Sequence, residues 1–166
     1  MAAPVGSGLP GRHPPAYSND TITLRTRQGW GAGAMPIKFN HLHLKASDPE
    51  QTAAWYGRAF GLTVTDKIKR PAGDLFLTCK MIDGTMVIIS GEKTGETLKS
   101  GDAGPHLGLE HFAVATEDFD HDLAHLQSLG ASVLDGPFTT PTGIRIAFIK
   151  APDDVRIELM YFPPGA

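Results

Sequence analysis

Residues 39–64 read FNHLHLKASDPEQTAAWYGRAFGLTV, and residues 109–133 read LEHFAVATEDFDHDLAHLQSLGASV. Laid side by side, the two stretches repeat one pattern. His41 stands seven residues before Asp48, and His111 stands seven before Asp118. Asp48 is followed thirteen residues later by Gly61, and Asp118 is followed twelve later by Gly130. Each stretch reads as a strand, an acidic N-cap, a helix, a glycine stop and a second strand. Internal repetition on this scale dictates the architecture before any single residue is interpreted.

The capping chemistry supports the reading. Asp48 is an N-cap with Pro49 at the first helical position, and Gln51 is placed to close a capping box. Asp118 caps the second helix, whose apolar stripe is Phe119, Leu123 and Leu126. Gly61 and Gly130 suit a left-handed helix stop. Two further strands follow each helix. In the first half they are LFLTCKMI and TMVIIS around Asp83-Gly84, a strong hairpin signal. In the second half they are IRIAFIKA and VRIELMYF around Pro152-Asp153-Asp154. Each unit is therefore β-α-β-β-β, and the fold class is α+β. Asp48 to Asp118, His41 to His111 and Ile88 to Glu158 share one offset, since 118 minus 48, 111 minus 41 and 158 minus 88 are all 70.

The chain has 166 residues, 41% of them hydrophobic and 20% charged, which fits a soluble domain with a sizeable core. A net charge of −3 gives no basic field, so nucleic acid is not an expected partner. No run approaches the roughly 18 apolar residues of a membrane-spanning helix, so no membrane association is expected. The single cysteine, Cys79, excludes an internal disulfide. It reads as a small buried hydrophobe in a reduced, cytoplasmic protein. Residues 1–34 are rich in Gly, Pro, Ala and Ser without periodicity, and read as a disordered extension ahead of Met35. His13 in that segment is assigned no role. Residues 35–166 form the ordered domain. Its first module spans about 36–92, a polar, glycine-rich linker 93–107, and the second module about 108–163.

Glu158 stands in an apolar strand, on the face shared with Arg156 and Met160 and opposite Val155, Ile157 and Leu159. A lone buried carboxylate is costly unless it is paired, protonated or bound to a metal. His41 and His111 occupy equivalent places in the two units. Packed as a pseudo-twofold pair, the units would bring both histidines to a shared cavity that Glu158 can join. Two histidines and a carboxylate with open positions suit Fe(II), and also Mn, Co, Ni or Zn.

These residues resemble the vicinal oxygen chelate superfamily, also called the glyoxalase/bleomycin-resistance/dioxygenase superfamily. The resemblance covers residues 36 to about 163. It is carried by Asn-His-x-x-Leu-x-x-x-Asp at 40–48, Trp55-Tyr56, Phe60-Gly61, His111, and Pro-Asp-x-x-x-Ile-Glu-Leu at 152–159. It implies two βαβββ modules forming a cup-shaped mixed sheet with helices outside. It further implies one divalent metal ion (Fe, Mn, Ni or Zn) held by His41, His111 and Glu158, with Glu158 also counted among the catalytic groups. Glyoxalase I and methylmalonyl-CoA epimerase carry a further Glu or Gln ligand in the last strand of the first unit. Ile88 stands there instead, and it neither ligates nor accepts a proton. The three-ligand set looks like extradiol dioxygenases and fosfomycin-resistance thiol transferases. The chain nevertheless lacks the transferases' Ser/Lys phosphonate stretch and the extra His and Tyr residues of the extradiol enzymes.

His43, on the same strand face as His41, is the candidate general acid/base or substrate contact. The alternative, that His43 ligates in place of His41, lacks the match to His111. Lys45, Arg145 and Arg156 would offer positive charge to an anionic small-molecule substrate, and His106 lies in the linker that would border the cup mouth. The linker reads as a lid. His121 and His125, four apart on the second helix, lie off its apolar stripe and read as solvent-facing. The expected function is metal-dependent chemistry on a small molecule through bidentate oxygen chelation, of the extradiol dioxygenase type. The alternatives are a glyoxalase-type lyase or isomerase, a fosfomycin-type thiol transferase, and a metal-free drug-binding resistance protein. A homodimer is expected, in which His41 can meet His111 and Glu158 either within one chain or across two.

Overall fold

The computed structural model describes residues 38–165. The extension at 1–34, the start at Met35 and His13 lie outside the described residues. The first module runs β1 (His41–Lys45), α1 (Pro49–Phe60), β2 (Thr63–Lys69), β3 (Leu75–Lys80) and β4 (Met86–Ser90). The second runs β5 (Phe112–Thr116), α2 (Phe119–Ser128), β6 (Ser132–Thr139), β7 (Arg145–Ala151) and β8 (Val155–Tyr161). A 3₁₀ turn at Pro152–Asp154 joins β7 to β8. Among the described residues no helix is long and apolar enough to cross a membrane.

The modules form two four-stranded mixed sheets, ordered β1-β4-β3-β2 and β5-β8-β7-β6. In each, the first strand runs parallel to the last and the other pairings are antiparallel. His41 pairs with Met86 and Ala113 with Glu158, so the sequence separation is 45 in both (86 minus 41, 158 minus 113). Ile88 lies between His43 and Thr78, as Glu158 lies between Ala113 and Phe148. Ile88 and Glu158 are thus equivalent positions of the repeat.

Local chemistry sets the ends of the helices. The Asp48 carboxylate accepts from the backbone N–H groups of Glu50 and Gln51, and Gly61 closes α1 at φ +68°. The Gln51 side chain makes no return bond to Asp48, so the capping box is half formed. Asp118 accepts from the His121 N–H, and Gly130 follows α2 at φ +91°. Phe119, Leu123 and Leu126 are buried as their spacing predicts, while His121 and His125 are exposed.

One apolar cluster draws on both modules, with Tyr56, Leu77 and Ile89 from the first and Leu126, Ile149 and Ile157 from the second. Full burial of such side chains contributes about 1.5–3 kcal/mol each. Cys79 is fully buried in it. The modules are also joined by polar contacts. Trp55 Nε1 donates to the Leu129 carbonyl at 2.9 Å, and His125 Nε2 donates to the Arg58 carbonyl at 2.9 Å. Asp153 accepts from Ser47 N (3.1 Å) and Ser47 Oγ (2.6 Å) on one oxygen and from Thr52 Oγ1 (3.2 Å) on the other.

That clasp needs an unusual turn. Asp153 and Asp154 take φ values of 57° and 58°, a left-handed conformation that costs a non-glycine residue about 1–2 kcal/mol. The linker presses against it. A Cβ at Gly101 would stand 2.3 Å from the Asp153 carbonyl oxygen, so only glycine fits there. Asp153→Ala removes three hydrogen bonds between the modules and keeps the turn strain. It is expected to lower stability by about 2 kcal/mol in chemical denaturation. A loss under about 0.5 kcal/mol would show that the modules do not depend on this clasp.

Candidate functional site

β1 buries Leu44 on one face and turns His41, His43 and Lys45 to the other. The strand period of two that places His43 on the face of His41 therefore operates here. His43 Nε2 lies 2.9 Å from Ser90 Oγ, and the ring meets the edge of Phe76 at 5.6 Å. Burial, followed by the positive charges of Lys45 and His41, pushes the His43 pKa below that of an ordinary histidine. Lys45 Nζ donates to the Gly91 carbonyl at 2.9 Å. His41 holds its Nδ1 2.7 Å from Asn40 Oδ1.

The second module gathers more. His111 Nε2 lies 3.3 Å from Glu158 Oε2. The His111 ring stands edge-on to Phe148 at 5.2 Å, and Phe148 is the cross-strand neighbour of Glu158. Arg156 is only 8% exposed, with its guanidinium stacked over Phe148 at 4.3 Å. Its Nη1 donates to the Ala103 carbonyl at 3.0 Å. Its Nε lies 2.9 Å from Glu110 Oε1, an ion-pair contact without hydrogen-bond alignment. The other Glu110 oxygen accepts from His111 Nδ1. That hydrogen bond, and next the Arg156 charge, hold the Glu110 carboxyl below the usual carboxylate range.

A cavity of about 480 Å³ opens between the modules, lined in part by His43, Lys45, His106, Glu110, His111 and Arg156. Four residues expected at the site thus meet His111 there. His41, Glu158 and Arg145 are not among the lining residues. Arg145 instead forms a two-point pair with Asp120 at 2.7 and 2.8 Å and stacks over Phe119 at 4.4 Å. The positive charge expected for an anionic substrate is not concentrated in the cavity. Its wall carries Lys45, Lys99 and Arg156 against Glu92, Asp102, Glu110, Asp153 and Asp154. A second, more apolar hollow of about 700 Å³ lies between α1 and β5.

His106 holds Nδ1 2.9 Å from the Gly104 carbonyl and Nε2 3.0 Å from the Leu109 carbonyl. Two carbonyls facing both ring nitrogens favour the doubly protonated ring, and they raise its pKa above the ordinary value.

Imidazole and carboxylate donors are the right chemistry for Fe, Mn, Ni or Zn, and the His111–Glu158 pair fits such an ion. Among the described residues no three His, Cys, Asp or Glu side chains converge on one point. Within one chain, then, His41 does not join that pair. The sequence reading gave no role to Glu110 or Asn40. The available signal was positional, since each immediately precedes a repeat-equivalent histidine and carries a side-chain oxygen.

Comparison with known proteins agrees with this architecture. No curated protein matches the chain. Among solved structures, a glyoxalase family protein from Bacillus cereus is 14% identical, covering 78% of this chain and 97% of that one at a TM-score of 0.69. The fosfomycin resistance protein FosX from Listeria monocytogenes, complexed with Mn(II) and sulfate, is 16% identical over 78% and 96%, at 0.58. A glyoxalase I variant from Zea mays is 23% identical over 73% of this chain and 44% of that one, also at 0.58. The family model for the Glyoxalase/Bleomycin resistance protein/Dioxygenase superfamily matches residues 38–159. With its paired βαβββ modules and its repeat-related histidines at His41 and His111, the chain belongs to that superfamily.

Proposed function

We propose that the chain is a metal-dependent enzyme acting on a small molecule that chelates through two neighbouring oxygens. The observation that carries this is the 3.3 Å approach of His111 Nε2 to Glu158 Oε2. His111 and Glu158 would hold one divalent ion together with His41 from a second copy of the chain. β1 is an edge strand and His41 is exposed on it, which suits a contribution across a dimer. Lewis acidity toward two vicinal substrate oxygens is the chemistry such an ion supplies when bound.

The surrounding residues have separate tasks. Phe148 packs edge-on against the His111 ring and carries the stacked Arg156 beside the pair. His43, whose pKa is lowered by partial desolvation and the charge of Lys45 and whose Nε2 lies 2.9 Å from Ser90 Oγ, is placed to take a proton from substrate or return one. Ile88, 5% exposed, removes the fourth protein ligand of glyoxalase-type isomerases and leaves positions open. Open positions favour extradiol-type oxygenation over isomerisation. With five carboxylates and three cations on the cavity wall, a substrate of low charge is favoured over a polyanion. The linker closes over the cavity, braced by His106.

Protein purified anaerobically is expected to carry about one metal ion per chain, lost in His111→Ala and in Glu158→Ala. Mixing His41→Ala with Glu158→Ala is expected to restore binding, because a mixed dimer regains one complete site. No metal in the wild type after reconstitution would sink the enzyme reading. Failure of the mixture alone would show that His41 of a second copy does not complete the site.

The His106 brace titrates. Its ring faces the Gly104 and Leu109 carbonyls, with the Asp102 and Glu110 carboxylates nearby, and all four favour the charged form. A raised pKa means that the bracing is fully present below about pH 6.5 and is lost as pH rises through the folded-state value. Hydrogen-exchange protection factors of the Gly104, His106, Leu107, Gly108 and Leu109 amides are expected to fall as pH rises above about 6.5 in the native protein. In His106→Gln they should stay flat, and equal behaviour of the two proteins would refute the brace.

A further inference from the structure

The two hollows are related by the internal repeat. Residues 42–46 of β1 line the 480 Å³ cavity, and residues 112–116 of β5 line the 700 Å³ hollow. The two runs are equivalent, because 112 minus 42 and 116 minus 46 are both 70. Asp153 and Val155 border the first, and their equivalents Asp83 and Thr85 border the second, since 153 minus 83 and 155 minus 85 are also 70. Leu42 and Phe112 line both. The second hollow is thus the counterpart of the first with the modules exchanged, built again from an edge strand and a hairpin turn.

Its chemistry differs. His43 and Lys45 of the first cavity are replaced by Ala113 and Ala115. Among the described residues that line the second hollow there is no lysine, arginine or histidine, and the charged groups are Asp83 from module one and Asp122 from module two. Leu42, Phe60, Met81, Val87, Leu126 and Leu159 supply an apolar wall. A volume of 700 Å³ falls within the range of about 300–1,000 Å³ typical of small-molecule sites.

The clasp has no counterpart here. Asp153 accepts from Ser47 and Thr52 of the other module. The positions equivalent to those donors are Glu117 and Asp122, since 117 minus 47 and 122 minus 52 are both 70. Carboxylates therefore stand where the first hollow has hydroxyls. Asp83 takes its hydrogen bonds from its own turn, from Thr85 N at 2.9 Å and Thr85 Oγ1 at 3.0 Å. Asp122 accepts from Thr116 Oγ1 within module two, and its other oxygen lies 3.0 Å from Nδ1 of the exposed His121, which does not line the hollow. The Thr85 amide and hydroxyl hold the Asp83 carboxyl below the usual carboxylate range, and the Thr116 hydroxyl does the same for Asp122. Each carboxylate has about four acceptor positions, so both keep room for a further donor. Two like charges from different modules on one apolar hollow suit a cation.

We propose that the second hollow binds a small organic cation, with an aromatic or aliphatic body against the apolar wall and one ammonium group held by Asp83 and Asp122. The ammonium takes the part that the Ser47 and Thr52 donors play in the first clasp, and so ties module one to module two. The site does not depend on the metal reading.

The probe is 1-naphthylmethylamine, with 1-naphthylmethanol and 1-naphthoate as its neutral and anionic counterparts. Each is titrated into the ¹⁵N-labelled full chain at about pH 7, where an alkylamine is charged. Saturable shifts are expected at the amides of Asp83, Thr85, Val114, Ala115 and Asp122. The amine should bind about 10-fold tighter than the alcohol, as charge-assisted hydrogen bonds imply, and the carboxylate should bind weakest. Asp83→Asn and Asp122→Asn should each weaken the amine by about 3–10-fold and leave the alcohol unchanged. Ala115→Phe, on an exposed position of the edge strand, should fill the hollow and abolish the shifts with all three probes. The two Asn variants keep the test valid if that strand is disturbed. Equal affinity for amine and alcohol, or an amine affinity that neither Asn variant lowers, would overturn the cation site. Shifts centred on His43 and Lys45 would move the probe to the first cavity and overturn it as well, and so would the absence of any saturable shift.

Discussion

The parallel pairing of the first strand of each module with its last determines where every candidate group lies. Antiparallel neighbours arise from short turns, but a parallel pair requires a long crossover, here a helix and two strands. Its register decides which side chains stand side by side. With the same separation of 45 in both modules, Ile88 is set beside His43, and Glu158 beside Ala113 and one step from His111. A slip of one residue would turn Glu158 into the apolar layer occupied by Ile157 and Leu159. The core packing of those two residues therefore also fixes the carboxylate.

On this symmetric backbone the side chains have diverged, and polar chemistry has accumulated in module two. Glu158 replaces Ile88, Glu110 replaces Asn40, and Phe148 replaces Thr78 at equivalent positions. The consequences are coupled. A carboxylate between strands needs partners, and His111 provides one. A buried guanidinium also needs partners, and Arg156 finds a carbonyl, a carboxylate and an aromatic face. Breaking one member of such a set leaves a desolvated charge behind, which costs more than the contact itself contributed. In module one Ile88 is buried and His41 exposed, and the charged network lies elsewhere, where the buried Asp74 pairs with Arg70 and the guanidinium stacks over Phe76 at 4.5 Å.

Contact between the modules is more than apolar. Asp153 reaches from the β7–β8 turn to the start of α1, and the linker glycine at 101 presses on the same turn. The turn, the linker and the end of β1 all border the 480 Å³ cavity. Its walls therefore come from both modules and the connection between them, and disturbing the clasp would disturb the cavity.

Much of this was legible in the sequence, and the reason is range. Caps, glycine stops, the helix stripe and strand alternation are local patterns, and the 70-residue offset repeats them, so the α+β class and the βαβββ order of each unit could be read directly. The half-formed capping box at Gln51 shows the limit even there, since a side chain within reach need not turn back. What only the tertiary structure decided concerns groups whose partners are distant or newly juxtaposed. Arg145 goes to Asp120 on α2 rather than to the cavity, because the strand start lies beside that helix. Arg156 is buried because a linker carbonyl and Glu110 close over it. Lys45 is held by the Gly91 carbonyl, which no periodicity predicts. Among the described residues His41 does not gather with the His111–Glu158 pair within one chain. Sequence repetition makes His41 and His111 equivalent, but equivalence under a repeat does not specify distance.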